Sequence, residues 1–168
     1  DNLKSVTGAI LILLFVGALA GTWLISGVIP AMIYYGLQIL HPSIFLPACV
    51  IICALISLAT GSSWTTSATV GIALIGIGKA LGIPVGMVAG AVLSGAYFGD
   101  KLSPLSDTTN LAPAMAGADL FNHIRFMTHT TVPSILVTLI VFIILGIGFS
   151  GDGAANSQEL LAAMNEVF

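Results

Sequence analysis

The sequence predicts an all-α membrane protein, a polytopic helical bundle of about five to six transmembrane segments that include discontinuous or re-entrant helices. Three observations predict it. Apolar residues make up 57% of the 168-residue chain and charged residues only 7%, against about 25% charge in an ordinary globular protein. Mean hydropathy is +1.10. The few charges are also excluded in blocks, since no Asp, Glu, Lys or Arg occurs in residues 5–78, 80–99 or 126–151.

A helix needs roughly 20 apolar residues to cross the hydrocarbon core, and several such runs in series exceed what the interior of a small soluble domain can hold. The predicted spans are residues 6–20, 22–40, 44–59, 68–81, 84–98 and 131–149. The first run lacks the short apolar region and cleavage site of a signal peptide, so it stays in the membrane. Gly21, Gly27 and Pro30 interrupt the first two runs, which therefore read either as two spans or as one kinked helix. His41-Pro42-Ser43 and Gly82-Ile83-Pro84 are turn signals that predict antiparallel neighbours on either side.

Gly78, Gly82, Gly86, Gly90 and Ser94 form one four-residue register of small residues, and Ala91, Gly95 and Gly99 another, where helix backbones can approach closely. Asp119 caps a predicted short helix with Leu120, Ile124 and Met127 on one face, which reads as a helix lying on the membrane surface. Arg125 precedes the last span, and the tail carries Asp152, Glu159 and Glu166 without a basic residue, which places Arg125 on the cytoplasmic side. Residues 1–150 read as one membrane domain and 151–168 as a polar tail or loop. The net charge of −3 is scattered and no basic cluster exists, which excludes nucleic acid as a partner.

Two polar stretches interrupt this apolar background. Residues 60–69 place seven hydroxyls around Trp64, a density a span interior rarely needs. They predict an interrupted helix whose freed carbonyls and hydroxyls, from Thr60, Ser62, Ser63, Thr65 and Thr66, offer neutral oxygens. The competing reading is that these hydroxyls bond back to their own helix. In the second stretch, Gly99 is expected to close an apolar helix, followed by Asp100 and Lys101, and Ser103-Pro104 to cap and begin another piece. Pro104 rules out one regular helix, so Asp100 and Asp107 can meet only through a chain reversal.

Carboxylates, the hydroxyls of Ser103, Ser106, Thr108 and Thr109, and the Asn110 amide are hard oxygen donors that suit sodium or a proton rather than a transition metal. A membrane carboxylate is costly when ionised, so it holds a proton or a cation in alternation, and Lys101 would neutralise it in the ion-free state. Cys49 and Cys53, four apart on an apolar run, read as packing residues. His123 and His129 read as interfacial side chains. No nucleophile, base and orienting group fall into an enzyme arrangement, and no phosphate-binding or dinucleotide motif occurs.

The stretches TGSSWTTSATVG at residues 60–71, GMVAG at 86–90 and SGAYFGDKLSPLSDTTNLAP at 94–113, with GTWLISGVIP at 21–30 and DLFNHIR at 119–125, closely resemble the NhaC family of Na+/H+ antiporters. The resemblance implies a multi-pass cell-membrane protein that exchanges external protons for cytoplasmic sodium, in a family that includes relatives coupling both ions to malate and lactate. It implies no cofactor beyond the transported Na+ and H+, and an inverted-repeat architecture of which this chain, lacking an initial Met, represents mainly one half. The remaining half of the same chain, the bilayer and a second copy packed through the glycine registers are the expected partners. Carried onto this sequence, the motif makes Asp107, with Thr108, Thr109 and Asn110, the leading ion-binding group, and Asp100 its partner or the proton-carrying carboxylate. Two other readings stand beside it: an organic-acid exchanger using Lys101 and backbone amides, and a scaffold subunit in which the polar motifs only join helices.

Overall fold

The computed structural model describes residues 2–39 and 41–148, and every regular element among them is helical. In chain order they are α1 (Asn2–Ile25), α2 (Val28–Ile39), α3 (Pro42–Thr60), α4 (Ser63–Ala68), α5 (Val70–Ala80), α6 (Val85–Leu102), α7 (Asp107–Ala116) and α8 (Leu120–Ile147). The predicted tail lies outside the described residues.

The first two apolar runs form a bent pair. Gly27 takes φ of +81°, a conformation that costs a glycine little, and the helix axes of Gly17–Ile25 and Val28–Ile39 meet at 72°. Pro30 falls in the first turn of α2, where a missing N–H has no helical partner to lose. Gly21 stays inside α1.

α3 and α6 are the centre of the fold. Phe45, Leu46, Cys49, Val50 and Cys53 form one stripe of α3, all fully buried, and they meet Val88, Ala91, Val92 and Ala96 of α6 in one apolar cluster. Both cysteines are free and buried, as packing residues. The second small-residue register explains how close the helices come: a Cβ on Gly95 would strike the Val50 carbonyl oxygen, and one on Gly99 the Ala54 carbonyl and, at 2.6 Å, the Leu58 nitrogen. The first register does not act as one surface. Gly82 is a turn residue at φ +73° and Gly86 faces open space. Along α6, contact with the main chain of α3 is therefore concentrated between Gly95 and Gly99.

Several expectations are corrected. Among the described residues two helices, α3 and α8, are long and apolar enough to cross a membrane, or three segments if the bent pair of Gly17–Ile25 with Val28–Ile39 counts as one, where five or six were expected. The break in the hydroxyl stretch leaves α5 with 11 residues, about 16 Å against a hydrocarbon thickness of about 30 Å. α6 has 18 residues, but its last turn carries Asp100 and Lys101. The turn at His41 does not fold α3 back along α2. α2 packs on α5 instead, because Ile33 fits the notch at Gly76 and Ile77 the notch at Gly36.

The separate surface helix also does not exist. Asp119 does cap, accepting the Asn122 N–H at 2.9 Å, but the helix it starts continues without interruption to Ile147. At 28 residues α8 is about 42 Å long, enough to place its polar first turns beyond the apolar core. Leu120, Ile124 and Met127 are indeed its half-buried face there. Gly99 does not close α6, which runs on to Leu102: with main chain of α3 against it, this glycine is a contact residue inside the helix.

Gly99→Ala is expected to lower the thermal unfolding midpoint of the detergent-solubilised protein, since the displaced backbone costs about 1–3 kcal/mol of overpacking. Gly86→Ala, into open space, should leave the midpoint unchanged or slightly raised.

Candidate functional site

One wall of the site starts where α3 ends. Gly61 adopts the left-handed conformation (φ +72°) and closes the helix by donating its N–H to the Ser57 carbonyl at 2.8 Å. Ser62 then turns extended and caps α4, accepting from the Thr65 N–H at 3.2 Å and the Thr65 hydroxyl at 3.0 Å. After six residues the helix breaks at Thr69 and restarts as α5, so the interrupted helix read from the hydroxyl run is present. Three of its hydroxyls do bond backwards: Thr66 to the Ser62 carbonyl, Ser67 to Ser63 and Thr69 to Thr65. Ser63 does not. Its buried hydroxyl crosses to α6 and donates to Asp100 Oδ2 at 2.8 Å.

The other wall is a chain reversal. α6 ends at Leu102 and α7 begins at Asp107, with Pro104 in the connection. Ser103 caps no helix; its buried Oγ accepts the Leu105 N–H at 3.2 Å and shapes the turn. The Asn110 amide donates to the Pro104 carbonyl at 2.7 Å and the Ser106 carbonyl at 2.8 Å. The buried Thr109 hydroxyl lies 3.1 Å from both the Asp100 and Lys101 carbonyl oxygens. Ser106 and Thr108 hydroxyls pair at 2.9 Å. Side chains of α7 therefore hold its own entry loop and the last turn of α6 together.

Between the walls lies a cavity of about 270 Å³ lined by Thr60, Gly61, Ser62, Trp64, Thr65, Asp100, Leu105, Ser106, Asp107 and Thr108. Both polar stretches thus meet in one place, and the reversal brings Asp100 and Asp107 to it. Asn110, Thr109, Ser103 and Thr66 stand outside the lining, the Asn110 amide nitrogen and the three hydroxyls engaged in the bonds just described. Lys101 is exposed and does not line the cavity either. Among the described residues no three His, Cys, Asp or Glu side chains gather as metal ligands.

Trp64, expected beside the hydroxyl cluster to line its cavity, does wall it and also a smaller one of about 200 Å³ with Ser63, Ser67, Leu93 and Tyr97. One contribution escaped the sequence reading. Ser57, fully buried in the middle of an apolar run, donates to the Ala96 carbonyl across the helix interface at 2.6 Å. A lone hydroxyl three residues before a hydroxyl cluster was the only signal for it.

The arrangement is that of a helical membrane protein with a break in one helix, and a cavity offering two carboxylates, several hydroxyls and no cationic side chain. The family comparison agrees with that class: residues 95–167 match the Na+/H+ antiporter family. The chain is 55% identical over 143 residues to the malate-2H+/Na+-lactate antiporter of Bacillus subtilis, covering 85% of this chain and 31% of that protein. It is 46% identical over 168 residues to the Na+/H+ antiporter NhaC of Alkalihalophilus pseudofirmus, covering 100% and 36%. The arginine/ornithine antiporter ArcD of Halobacterium salinarum is 45% identical over 140 residues, covering 83% and 29%. No solved structure matches the chain at a significant level. The chain belongs to the Na+/H+ antiporter family, and it spans about a third of the length of these relatives.

Asn110→Asp separates a loop-holding role from a cation-binding one. Replacing the donating amide by a carboxylate opposite two carbonyls should lower thermal stability and weaken sodium dependence, measured by unfolding and by transport. A directly coordinating side chain would instead give tighter sodium binding with the added charge.

Proposed function

We propose that this chain is the part of a secondary active transporter in which Asp100 and Asp107 bind Na+ or H+ alternately, so that one ion crosses the cell membrane in exchange for the other. The single observation that carries this reading is the composition of the cavity lining. Two carboxylates with Thr60, Ser62, Thr65, Ser106 and Thr108 around them, and no Lys, Arg or His, favour a hard cation over an anion. The protonated and the cation-bound carboxylate are both uncharged overall. Either can be carried through a low-dielectric path that an isolated carboxylate would traverse only at high cost.

The Ser63 hydroxyl donates to Asp100 and holds one of its oxygens in place. The other oxygen is left for an ion. Asp107, exposed at the start of α7, sits where the helix N-terminus favours negative charge. In this reading Asp107 receives the ion first and Asp100 holds it deeper. Neither carboxylate depends on a cofactor.

A second reading has one observation in its favour, the 55% identity to an antiporter named for malate, sodium and lactate. An organic acid would then enter with a cation already bound, because the cavity by itself repels a carboxylate. Lys101 and the amides of the hydroxyl stretch are the anion-binding groups that reading would use.

Proteoliposomes containing the complete transporter and an internal pH dye decide between the two. Sodium-driven proton flux without malate or lactate is the outcome expected of a simple exchanger. Flux only in the presence of an organic acid would transfer the reading to the acid exchanger. Asp107→Asn and Asp100→Asn are each expected to abolish the sodium dependence or weaken it by an order of magnitude or more, as loss of a charged ligand implies. Unchanged sodium dependence in both would remove the carboxylates from the mechanism.

A further inference from the structure

We infer that Ser57 is a positioning residue for the Asp100 carboxylate, setting the distance between the two walls of the cavity without touching it. The inference rests on the reading of Asp100 as an ion-binding group.

Ser57 is attached to both walls. Through its side chain it donates a 2.6 Å hydrogen bond to the carbonyl of Ala96. α6 is continuous from Val85 to Leu102, so that carbonyl is also the helical acceptor of the Asp100 N–H four residues on. One oxygen thereby ties α3 to the peptide of Asp100. Through its own carbonyl, Ser57 accepts the N–H of Gly61 at 2.8 Å, the residue that ends α3 and turns the chain into the hydroxyl wall. A Cβ on Gly61 would lie 2.6 Å from the Leu105 carbonyl carbon, so that turn is pressed against the opposite wall. Ser57 is the residue from which both walls are measured.

The surroundings leave it little freedom. Ser57 is fully buried, and its Cβ lies 2.8 Å from where a Cβ of Gly99 would stand. The hydroxyl is sealed from water and donates its proton to the Ala96 carbonyl. Removing it does not merely delete a bond; it lets the last turn of α6 shift along α3 by a fraction of an ångström, enough to spoil the 2.8 Å bond between the Ser63 hydroxyl and Asp100. Ion coordination is sensitive to shifts of that size, whereas the apolar cluster around Val50 and Val92 is not.

The test is sodium-driven proton flux by the complete transporter in proteoliposomes, normalised to folded protein, for Ser57→Ala, Ser57→Cys, Ser94→Ala and Asp100→Asn. Ser94 donates only within α6, to the Gly90 carbonyl at 2.7 Å, so Ser94→Ala controls for loss of a hydroxyl as such. For Ser57→Ala the half-saturating sodium concentration is expected to rise roughly threefold or more, the scale of one buried hydrogen bond, while the maximal rate is retained. Ser57→Cys, which keeps the size and a weak donor, should fall between it and the parent, and it carries the test if Ser57→Ala does not fold. A purely structural role would lower the yield of folded protein and leave half-saturation per folded molecule unchanged, and that result would overturn the inference. A normal half-saturation for both Ser57 variants beside a defective Asp100→Asn would overturn it alone. Intact sodium dependence in Asp100→Asn would overturn the site and this inference together.

Discussion

Contact between the main chains of α3 and α6 is the constraint on which the rest of this structure depends. Gly95 and Gly99 give α6 a face with no side chains where it meets Val50, Ala54 and Leu58. In hydrocarbon, apolar burial does not drive helices together, so dispersion at short range and hydrogen bonds between helices must do so. The Ser57 bond to Ala96 is available only because the glycines let the backbones come within its reach. Both polar stretches sit at the same end of this contact, one leaving α3 and the other leaving α6. Their meeting in a cavity follows from the helix packing.

Inside that frame, the hydroxyls divide into those that solve a local problem and those that solve a distant one. Thr66, Ser67 and Thr69 satisfy carbonyls of their own short helix, which is what a broken helix in an apolar solvent requires. Thr109 and Asn110 do the same for the reversal. Ser63 alone among those α4 hydroxyls with an assigned acceptor reaches a carboxylate. A membrane protein cannot leave main-chain groups to water, so many polar side chains in its motifs serve the fold before any ion arrives.

The class of the protein was legible because charge exclusion over 74 consecutive residues, 5–78, has no soluble explanation. The broken helix at residues 60–69 and the reversal at Pro104 were legible for similar reasons: clustered hydroxyls and a proline each contradict a regular apolar helix. Span counting failed because hydropathy sees apolar runs but not where a turn such as Thr69 cuts them below crossing length. The surface helix failed because Arg125 and the histidines lie at the end of a long helix, where polarity changes while the backbone does not. Of the site, residue types were readable and partnerships were not. Nothing in the order of residues says that Asn110 faces carbonyls while Thr108 lines the cavity: two positions apart on one helix they point about 200° apart, but which face meets the cavity is set by the packing.

The reversal has a mechanical consequence. Asp100 and Asp107 belong to a single braced unit, because Thr109 ties the start of α7 to two carbonyls at the end of α6 and Asn110 ties it to two carbonyls of the connection. The hydroxyl wall is joined to that unit by one charge-assisted bond from Ser63, worth about 1.5–3 kcal/mol, by the contact of Gly61 with Leu105, and by the packing of α4 on α6. Stiffness is thus unevenly shared across the cavity. The acidic side is held by its own dense set of hydrogen bonds, and the six-residue helix opposite meets it through packing and a single bond to a carboxylate.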